Sequence, residues 1–482
     1  MTREKLASKR LHSTTSPGRV RLILPHFGKG TVRPRPRWRG TKRSGVRGWF
    51  PVLYPDPLRT KGMRGRRDVL SQDGTGRPNM DWYYAIAWTA ILAQVVFLYH
   101  AVRNYVYARS KHARDRRPAP PPRVAVIVPC KGLDARFHTN IASFLRQDYE
   151  HFRLLFVVAE TTDPAYAELC KAKETLRRDS RASDIQILVA GVPASRSQKI
   201  HNLLYALDRV PADTQVFAFG DSDVCVHDDW LSHLVWPLRH PGHNMASGYR
   251  WFVPTRRNLA TLVLSAINAS VAQLLGNSRF NHAWGGSMAI LAEDFRRLQI
   301  ARIWGNTLSD DFSLSRAVKE AGMKVTFVPG CLVPSFESAT WAGLYEFARR
   351  QLLITRVYVP RTWWAGFLAS CGSVLGLWGG AATAVCAAVV HSEHIVLYSA
   401  VPVLFFAGLL VRAVLRQLTA MKILGEYSSQ LWPAALADVL GCWLWSPLLL
   451  ILLVCSAFGR TIRWRGIRYR LTSPTQTEIL GD

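Results

Sequence analysis

Four long, nearly uncharged apolar stretches constrain the fold of this 482-residue chain more than any other feature. WYYAIAWTAILAQVVFLYHAV, residues 82–102, contains no Lys, Arg, Asp or Glu, and neither do residues 362–390 and 395–411. The fourth stretch, 431–459, carries a single charged side chain, Asp438. About 20 apolar residues in a row are enough to cross the hydrocarbon core of a bilayer. The sequence therefore predicts an integral, multi-pass membrane protein.

The basic residues beside these stretches predict their orientation, because Lys and Arg concentrate on the cytosolic side of a membrane. VRNYVYARSKHARDRR follows the first stretch and VRAVLRQLTAMK follows the third, whereas HSEH, between the second and third, has no Lys or Arg. The region between the first two stretches is therefore expected in the cytosol. The basic segment GRTIRWRGIRYR would lie there too, which requires 431–459 to be re-entrant, interfacial or a tight hairpin.

Positive charge is concentrated at the N-terminus. Residues 1–79 hold 20 Lys or Arg against 4 Asp or Glu, which gives +16 of the net +29. This region shows no periodicity, and Met80 lies just before the first apolar stretch, so we interpret it as a disordered extension or a mis-assigned start. A lipid- or RNA-binding arm is the alternative. Eight cysteines without a CxxC pair predict neither a zinc site nor a disulfide framework.

The middle of the chain has the pattern of a nucleotide-binding α/β domain. Four short apolar runs, VAVIVPCKG, LLFVVAE, IQILVAG and VFAFG, alternate with helical segments such as AYAELCKAKETLRR and KIHNLLYALDRV. This alternation predicts βαβ units in a doubly wound sheet, with ligands bound beyond the carboxyl ends of the strands. Asp163, Lys199, Asp221 and Asp223 all follow such ends.

Asp221 and Asp223 are the candidate metal ligands. They follow the fourth strand in VFAFGDSDVCV, and on an extended segment two side chains with this spacing point the same way. One or two carboxylates together with phosphate oxygens are a common binding site for Mg²⁺ or a similar divalent metal. A solvated turn at the end of a strand is the alternative.

A second acidic pair lies in LSDDFSLSRAVKEAG, where Asp310 and Asp311 precede an amphipathic helix. They either cap that helix or provide a general base that accepts a proton from an acceptor hydroxyl. In AWGGSMAI, Gly285 and Gly286 allow the backbone to approach a ligand, and Trp284 offers a flat apolar face. A turn with a core tryptophan would show the same pattern.

Together these elements resemble the GT-A glycosyltransferases, and most closely the ceramide glucosyltransferase family with its bacterial hopanoid-associated relatives. AETTDPAYAEL resembles the family's first aspartate motif, FGDSDVCV the second and LSDDFSL the third. SQKIHNLL resembles its Lys-x-x-Asn-Leu element, and WGGSMAI its glycine-rich element. The resemblance covers about residues 123–360.

This resemblance implies roles for the residues that match. Asp163 would lie near the nucleotide, with Lys199 and Asn202 facing the nucleotide sugar. Asp221, helped by Asp223, would hold the divalent metal, Mg²⁺ or Mn²⁺, and the diphosphate. Asp311 would be the catalytic base of a single displacement that inverts the anomeric carbon. Trp284, Gly285, Gly286 and Asp310 would lie on the side of the sugar and acceptor.

The chain departs from the family's (Q/R)xxRW motif. ARRQLLITRVYV matches its first position with Arg350, but Leu353 and Ile354 stand where the motif has Arg and Trp. We expect Arg350 on the acceptor side of the site and Arg356 to supply the lost cation to the diphosphate. Changed acceptor handling or a degraded enzyme are the alternatives.

These inferences divide the chain into seven predicted regions. They are the basic extension (1–79), an N-terminal transmembrane helix (80–104), a basic Pro-rich linker (105–122), the GT-A domain (123–345), an interfacial Arg-rich segment (346–361), a C-terminal transmembrane region (362–459) and a basic cytosolic tail (460–482).

The predicted function is transfer of a sugar from a UDP-sugar to the hydroxyl of a membrane lipid of ceramide or hopanoid type. The protein would lie in a membrane, expected to be a bacterial inner membrane, with the lipid bilayer and a lipid acceptor as partners and no nucleic acid. One alternative is a processive polysaccharide synthase of the cellulose or hyaluronan type. The other is a catalytically inactive, membrane-tethered binding protein whose basic arm binds nucleic acid or lipid.

Overall fold

The computed structural model describes residues 81–112 and 120–480. The basic extension expected at 1–79 therefore lies outside the described residues, as does part of the linker expected at 105–122.

The described residues form fifteen α-helices and ten β-strands. The helices are α1 (Asp81–Lys111), α2 (Phe137–Leu145), α3 (Pro164–Leu176), α4 (Gln198–Leu207), α5 (Trp230–Val235), α6 (Leu259–Ala272), α7 (Ala292–Arg297), α8 (Ile300–Ile303), α9 (Asp310–Glu320), α10 (Trp341–Tyr358), α11 (Pro360–Val374), α12 (Gly380–Val389), α13 (Ile395–Ile423), α14 (Ser428–Leu440) and α15 (Trp445–Ala457). The strands are β1 (Val124–Pro129), β2 (Phe152–Val158), β3 (Asp184–Val189), β4 (Val216–Gly220), β5 (Met245–Pro254), β6 (Ser287–Leu291), β7 (Val325–Glu337), β8 (Thr461–Trp464), β9 (Ile467–Ser473) and β10 (Gln476–Leu480).

Seven strands form one mixed sheet in the order β3-β2-β1-β4-β6-β5-β7. The first four strands are parallel, whereas β6 runs antiparallel to both β4 and β5. All five residues of β4 are buried, which explains why this strand is a continuous apolar run rather than an alternating pattern. The four strands predicted from the sequence are present, and the prediction of an α/β domain accompanied by apolar helices is confirmed.

Helices cover both faces of this sheet. On one face, α2 and α3 pack apolar side chains such as Phe144 and Leu169 against β1 and β2. On the other face, α4 and α9 pack apolar side chains such as Leu203 and Leu314 against the sheet. Since both faces are covered, the edge formed by the strand ends and their loops is where the sheet can receive a ligand.

Three described helices are long and apolar enough to cross a membrane: Ala85–Lys111, Pro360–Val389 and Ile395–Ile423. The fourth apolar stretch folds differently, as α14 and α15 are bent by 91° relative to each other. Asp438 of α14 is fully buried, where it accepts a 2.6 Å hydrogen bond from Arg416 Nε and another from Gln417. The single acidic side chain of this stretch is therefore paired, as buried charges in apolar surroundings usually are.

The last three strands form a separate antiparallel sheet in the order β10-β9-β8. The sequence suggested only a basic tail here. Ile462, Tyr469 and Leu471 are buried, whereas Arg463 and Arg468 are exposed, which is the alternation of a half-buried sheet. The buried side chains pack against Leu353 and Ile354 of α10. The tail is thereby held against the helix that precedes the second apolar span.

Candidate active site

A cavity of about 420 Å³ lies beyond the carboxyl ends of β1 and β4. Its lining includes most of the residues predicted from the sequence, namely Lys199, Asn202, Asp221, Asp223, Trp284, Asp310, Asp311 and Arg350. These residues come from five separate parts of the sequence. Their convergence agrees with the rule that open α/β sheets bind ligands beyond their strand ends.

Asp221 and Asp223 follow β4 directly, and their segment is fixed by β7. The Asp223 carbonyl accepts a 3.2 Å hydrogen bond from Ser335 Oγ, and Cys225 N donates to Pro334 O. Asp223 Oδ1 is buried and has no hydrogen-bond partner. Burial raises the pKa of Asp223 to about 6, and the charge of Asp221 adds to the effect. A buried carboxylate oxygen without a donor is suited to bind a cation.

Lys199 connects the two acidic pairs. It lies in the first turn of α4, where the Ser197 hydroxyl accepts a hydrogen bond from Ile200 N. Lys199 Nζ lies 2.8 Å from Asp221 Oδ1 and 3.1 Å from Asp310 Oδ2. Burial alone would lower the pKa of Lys199, but the charges of Asp221 and Asp310 raise it above its usual value. The side chain is therefore a fixed cation at the centre of the cavity.

Asp310 and Asp311 begin α9, and the residue that caps this helix is Ser309. Asp311 Oδ2 accepts a 3.1 Å hydrogen bond from Gly285 N, while its Oδ1 accepts bonds from Ser309 Oγ and Phe312 N. The Asp310 side chain is only 4% exposed, and burial raises its pKa to about 6. The two neighbours thus differ: Asp310 is paired with Lys199, whereas Asp311 is oriented by neutral donors.

The two glycines before β6 make this close packing possible. A Cβ atom on Gly285 would lie 2.7 Å from Lys199 Nζ, and one on Gly286 would lie 2.8 Å from Asp221 Oδ2. Trp284 N donates to Ser247 Oγ, and the guanidinium of Arg250 lies 5.5 Å from the centre of the Trp284 ring. The predicted glycine-rich element therefore lies between the two acidic pairs.

Three predicted residues have local contacts that differ from the expected roles. Asp163 Oδ1 caps α3 and accepts a 2.9 Å hydrogen bond from Gly132 N, in the loop after β1. Asn202 lines the cavity, but its amide bonds to Val157 O and Gln198. Arg356, expected to provide a cation to the diphosphate, is not in the cavity lining and instead donates to the carbonyls of residues 457 and 459.

Several cavity residues were not found from the sequence: Lys131, Asp134, Arg250, Glu337, Trp464 and Arg465. Arg250 and Glu337 belong to the long strands β5 and β7. Trp464 and Arg465 belong to the hairpin formed by β8 and β9, which we call the C-terminal hairpin. Within that hairpin, Gly466 between two alternating segments was the local signal of a turn.

With this geometry established, comparison with known proteins assigns the chain to a family. A family model described as Glycosyl transferase family 21 matches residues 84–477. The chain belongs to glycosyl transferase family 21. The match includes the apolar helices and the C-terminal hairpin as well as the sheet, and the predicted resemblance to ceramide glucosyltransferase-like enzymes is confirmed.

This family 21 glycosyltransferase is also similar to individual proteins. Ceramide glucosyltransferase 1 of Caenorhabditis elegans is 24% identical over 164 residues, which are 33% of this chain and 34% of that protein. The match therefore spans about a third of the curated relative.

Among solved structures, the mannosyltransferase PcManGT from Pyrobaculum calidifontis, in complex with GDP-Man and Mn²⁺, matches with a TM-score of 0.41 and 16% identity, over 77% of this chain and 97% of that one.

Glucosyl-3-phosphoglycerate synthase from Mycobacterium tuberculosis, in complex with Mn²⁺, UDP-Glc and phosphoglyceric acid, matches with a TM-score of 0.33 and 16% identity. That alignment covers 48% of this chain and 78% of the synthase. These TM-scores are low, and the assignment of this chain rests on the family match.

Proposed function

We propose that this glycosyltransferase moves a sugar from a UDP-sugar to the hydroxyl of a membrane lipid of ceramide or hopanoid type. The supporting observation is one cavity in which Asp221, Lys199 and Asp311 meet. Helix α10, which forms one wall with Phe347 and Arg350, is followed directly by the apolar span Pro360–Val389. A donor site beside a membrane-length helix fits a soluble nucleotide donor and a lipid acceptor. We place the catalytic domain on the cytosolic side of a bacterial inner membrane.

The residues of the cavity fit a divalent metal. Asp223 Oδ1 is a buried acceptor without a donor, and Asp221 lies two residues away on the same segment. Mg²⁺ and Mn²⁺ bind oxygen ligands and are commonly held by one or two carboxylates together with substrate phosphates. When bound, such a metal neutralises charge on the nucleoside-diphosphate leaving group.

The protein side chains account for the remaining steps of the proposed reaction. Lys199 lies where its ammonium can contact the donor, and it holds Asp221 and Asp310 in place. Asp311 accepts the proton from the acceptor hydroxyl as that oxygen attacks the anomeric carbon, and the nucleoside diphosphate leaves from the opposite face. Configuration at that carbon is inverted. Hydrogen bonds from Gly285, Ser309 and Phe312 keep the Asp311 carboxylate oriented for this transfer.

Transfer of label to lipid tests this proposal. The full-length protein in detergent would be supplied with radiolabelled UDP-glucose or UDP-N-acetylglucosamine, a lipid extract, and either Mn²⁺ or a chelator. We expect metal-dependent label in an organic-extractable lipid. Asp221→Asn should lose both nucleotide binding and transfer, whereas Asp311→Asn should lose transfer but still bind UDP. Asp213→Asn is a matched control, because Asp213 is 60% exposed and pairs with Arg123.

Three results would contradict the proposal. Label in insoluble polymer would indicate a polysaccharide synthase. Transfer that survives Asp311→Asn would remove that residue from the role of base. A well-folded protein that binds neither UDP-sugar would exclude the proposed donor class.

A further inference from the structure

The C-terminal hairpin reaches into the cavity at its turn. Trp464 ends β8, Ile467 begins β9, and these two residues pair across a loop of two residues, Arg465 and Gly466. Trp464 and Arg465 both line the cavity, together with Asp221 and Asp223. A segment more than 240 positions away in sequence from the two aspartates thus forms part of the same site.

Arg465 occupies a position where the turn itself would favour another residue. Arg465 has φ 51° and Gly466 has φ 85°, as in a type I′ turn, whose central residues both have positive φ. Asn, Asp and Gly are the usual residues at the first of these positions, because a larger side chain is disfavoured in the left-handed region. The hairpin therefore carries an arginine at a position where local conformation disfavours it.

Asp134 directs this arginine towards the segment that holds Asp221 and Asp223. One of its oxygens, Oδ1, lies 2.6 Å from Arg465 Nη1, and its Oδ2 accepts a 3.0 Å hydrogen bond from Ser222 Oγ. Ser222 is the residue between the two aspartates. The Arg465 side chain lines the cavity and is still 41% exposed, so the ion pair with Asp134 does not bury it. An anion bound beside Asp221 and Asp223 would lie within reach of it.

The hairpin is attached to α10 by packing and by hydrogen bonds. Leu353 and Ile354 form the apolar surface on which Ile462 and Tyr469 pack. Arg349 donates to the carbonyls of residues 458 and 461, and Arg356 to those of residues 457 and 459. These contacts fix the start of the hairpin, so its turn is held at the cavity by a folded support.

We propose that Arg465 binds the diphosphate of the nucleotide donor, as a cation supplied by the C-terminal hairpin. An arginine is suited to this role because its planar guanidinium can donate two parallel hydrogen bonds to phosphate oxygens. Asp134 is a positioning residue that holds Arg465 before the donor arrives. This inference rests on the proposed function, since it requires a nucleoside-diphosphate donor in the cavity.

Binding of UDP and of uridine, compared on the same variants, tests this proposal. Arg465→Asn removes the cation but places a favoured residue in the turn, so the hairpin should keep its shape. Arg465→Lys keeps the charge without the planar fork. Arg463→Gln is the matched control, because Arg463 is an exposed arginine on the same hairpin. Dissociation constants would be measured by calorimetry on the full-length protein in detergent with Mn²⁺.

We expect Arg465→Asn to weaken UDP binding about 10-fold or more, as for loss of a charge-assisted hydrogen bond, and to leave uridine binding unchanged. Arg465→Lys should lie between this variant and the wild type, and Arg463→Gln should match the wild type. Unchanged UDP binding by Arg465→Asn overturns the inference. So does an equal loss for uridine, or the same loss in Arg463→Gln. A wild-type protein that binds neither ligand overturns the proposed function, and this inference with it.

Discussion

Replacing Glu337 by glutamine should stabilise this protein in a pH-dependent way. Glu337 ends β7 and lines the cavity. Burial raises its pKa from 4.5 to about 7, and the charge of Asp223 contributes to the shift. Because the folded-state pKa is raised, the group's contribution to stability is present below about pH 4.5 and is lost as the pH rises through about 7.

The size of the effect follows from the same two values. The difference between 4.5 and about 7 corresponds, at about 1.4 kcal/mol per pH unit, to about 3 kcal/mol of destabilisation by ionised Glu337 near pH 8. A glutamine of the same shape does not ionise, so Glu337→Gln should gain about this amount near pH 8 and almost nothing near pH 4.5. For a chain of this size, the melting temperature should rise by about 3 °C.

Thermal unfolding followed by tryptophan fluorescence would measure this difference at both pH values. The full-length protein would be kept in detergent without nucleotide or divalent metal, because a cation beside Asp223 would lower the pKa of Glu337. Glu320→Gln is the control: Glu320 is 64% exposed and lies 2.7 Å from Arg316, a surface pair worth about 0–1 kcal/mol. A melting temperature for Glu337→Gln that is unchanged near pH 8, or raised equally near pH 4.5, would refute the reasoning.

Three further substitutions test how the cavity is held together. Lys199→Met leaves the buried Asp310 without its cation and should destabilise the protein by about 3–5 kcal/mol near pH 8, seen as a lower melting temperature; an unchanged value would contradict the pairing. Gly285→Ala places a Cβ 2.7 Å from Lys199 Nζ, so turnover in the lipid-transfer assay should fall; wild-type turnover would contradict this close packing. Tyr358→Phe removes the acceptor for Leu308 N at 2.8 Å and should cost about 1–3 kcal/mol in thermal unfolding; wild-type stability would argue against that bond.

The sequence was sufficient to predict the parallel half of the sheet but not its order. Buried parallel strands such as β1 and β4 appear as continuous apolar runs, so each could be located without knowing its neighbours. The antiparallel insertion of β6 between β4 and β5 depends on pairing between residues far apart in sequence. No local pattern specifies such pairing, which is why the strand order had to come from the structure.

The cavity residues that could be located from the sequence are those marked by a local pattern. Asp221, Lys199 and Asp311 all stand next to strand ends or helix starts, where polar residues interrupt an apolar pattern. Arg250 and Glu337 were missed because they belong to long strands whose ends extend past the sheet core into the cavity. Position along a strand, rather than residue type alone, decides whether such a side chain reaches the ligand.

The C-terminal hairpin shows why a local departure from a motif can mislead. Leu353 and Ile354 suggested a lost function when α10 was considered by itself. In the folded protein they are buried beneath Tyr469 of a hairpin whose basic residues had suggested only a basic cytosolic tail. If Leu353 and Ile354 were replaced by the arginine and tryptophan of the motif, the hairpin would lose the aliphatic side chains on which it packs. The substitution in α10 and the folded C-terminus are therefore one structural feature, and neither can be interpreted without the other.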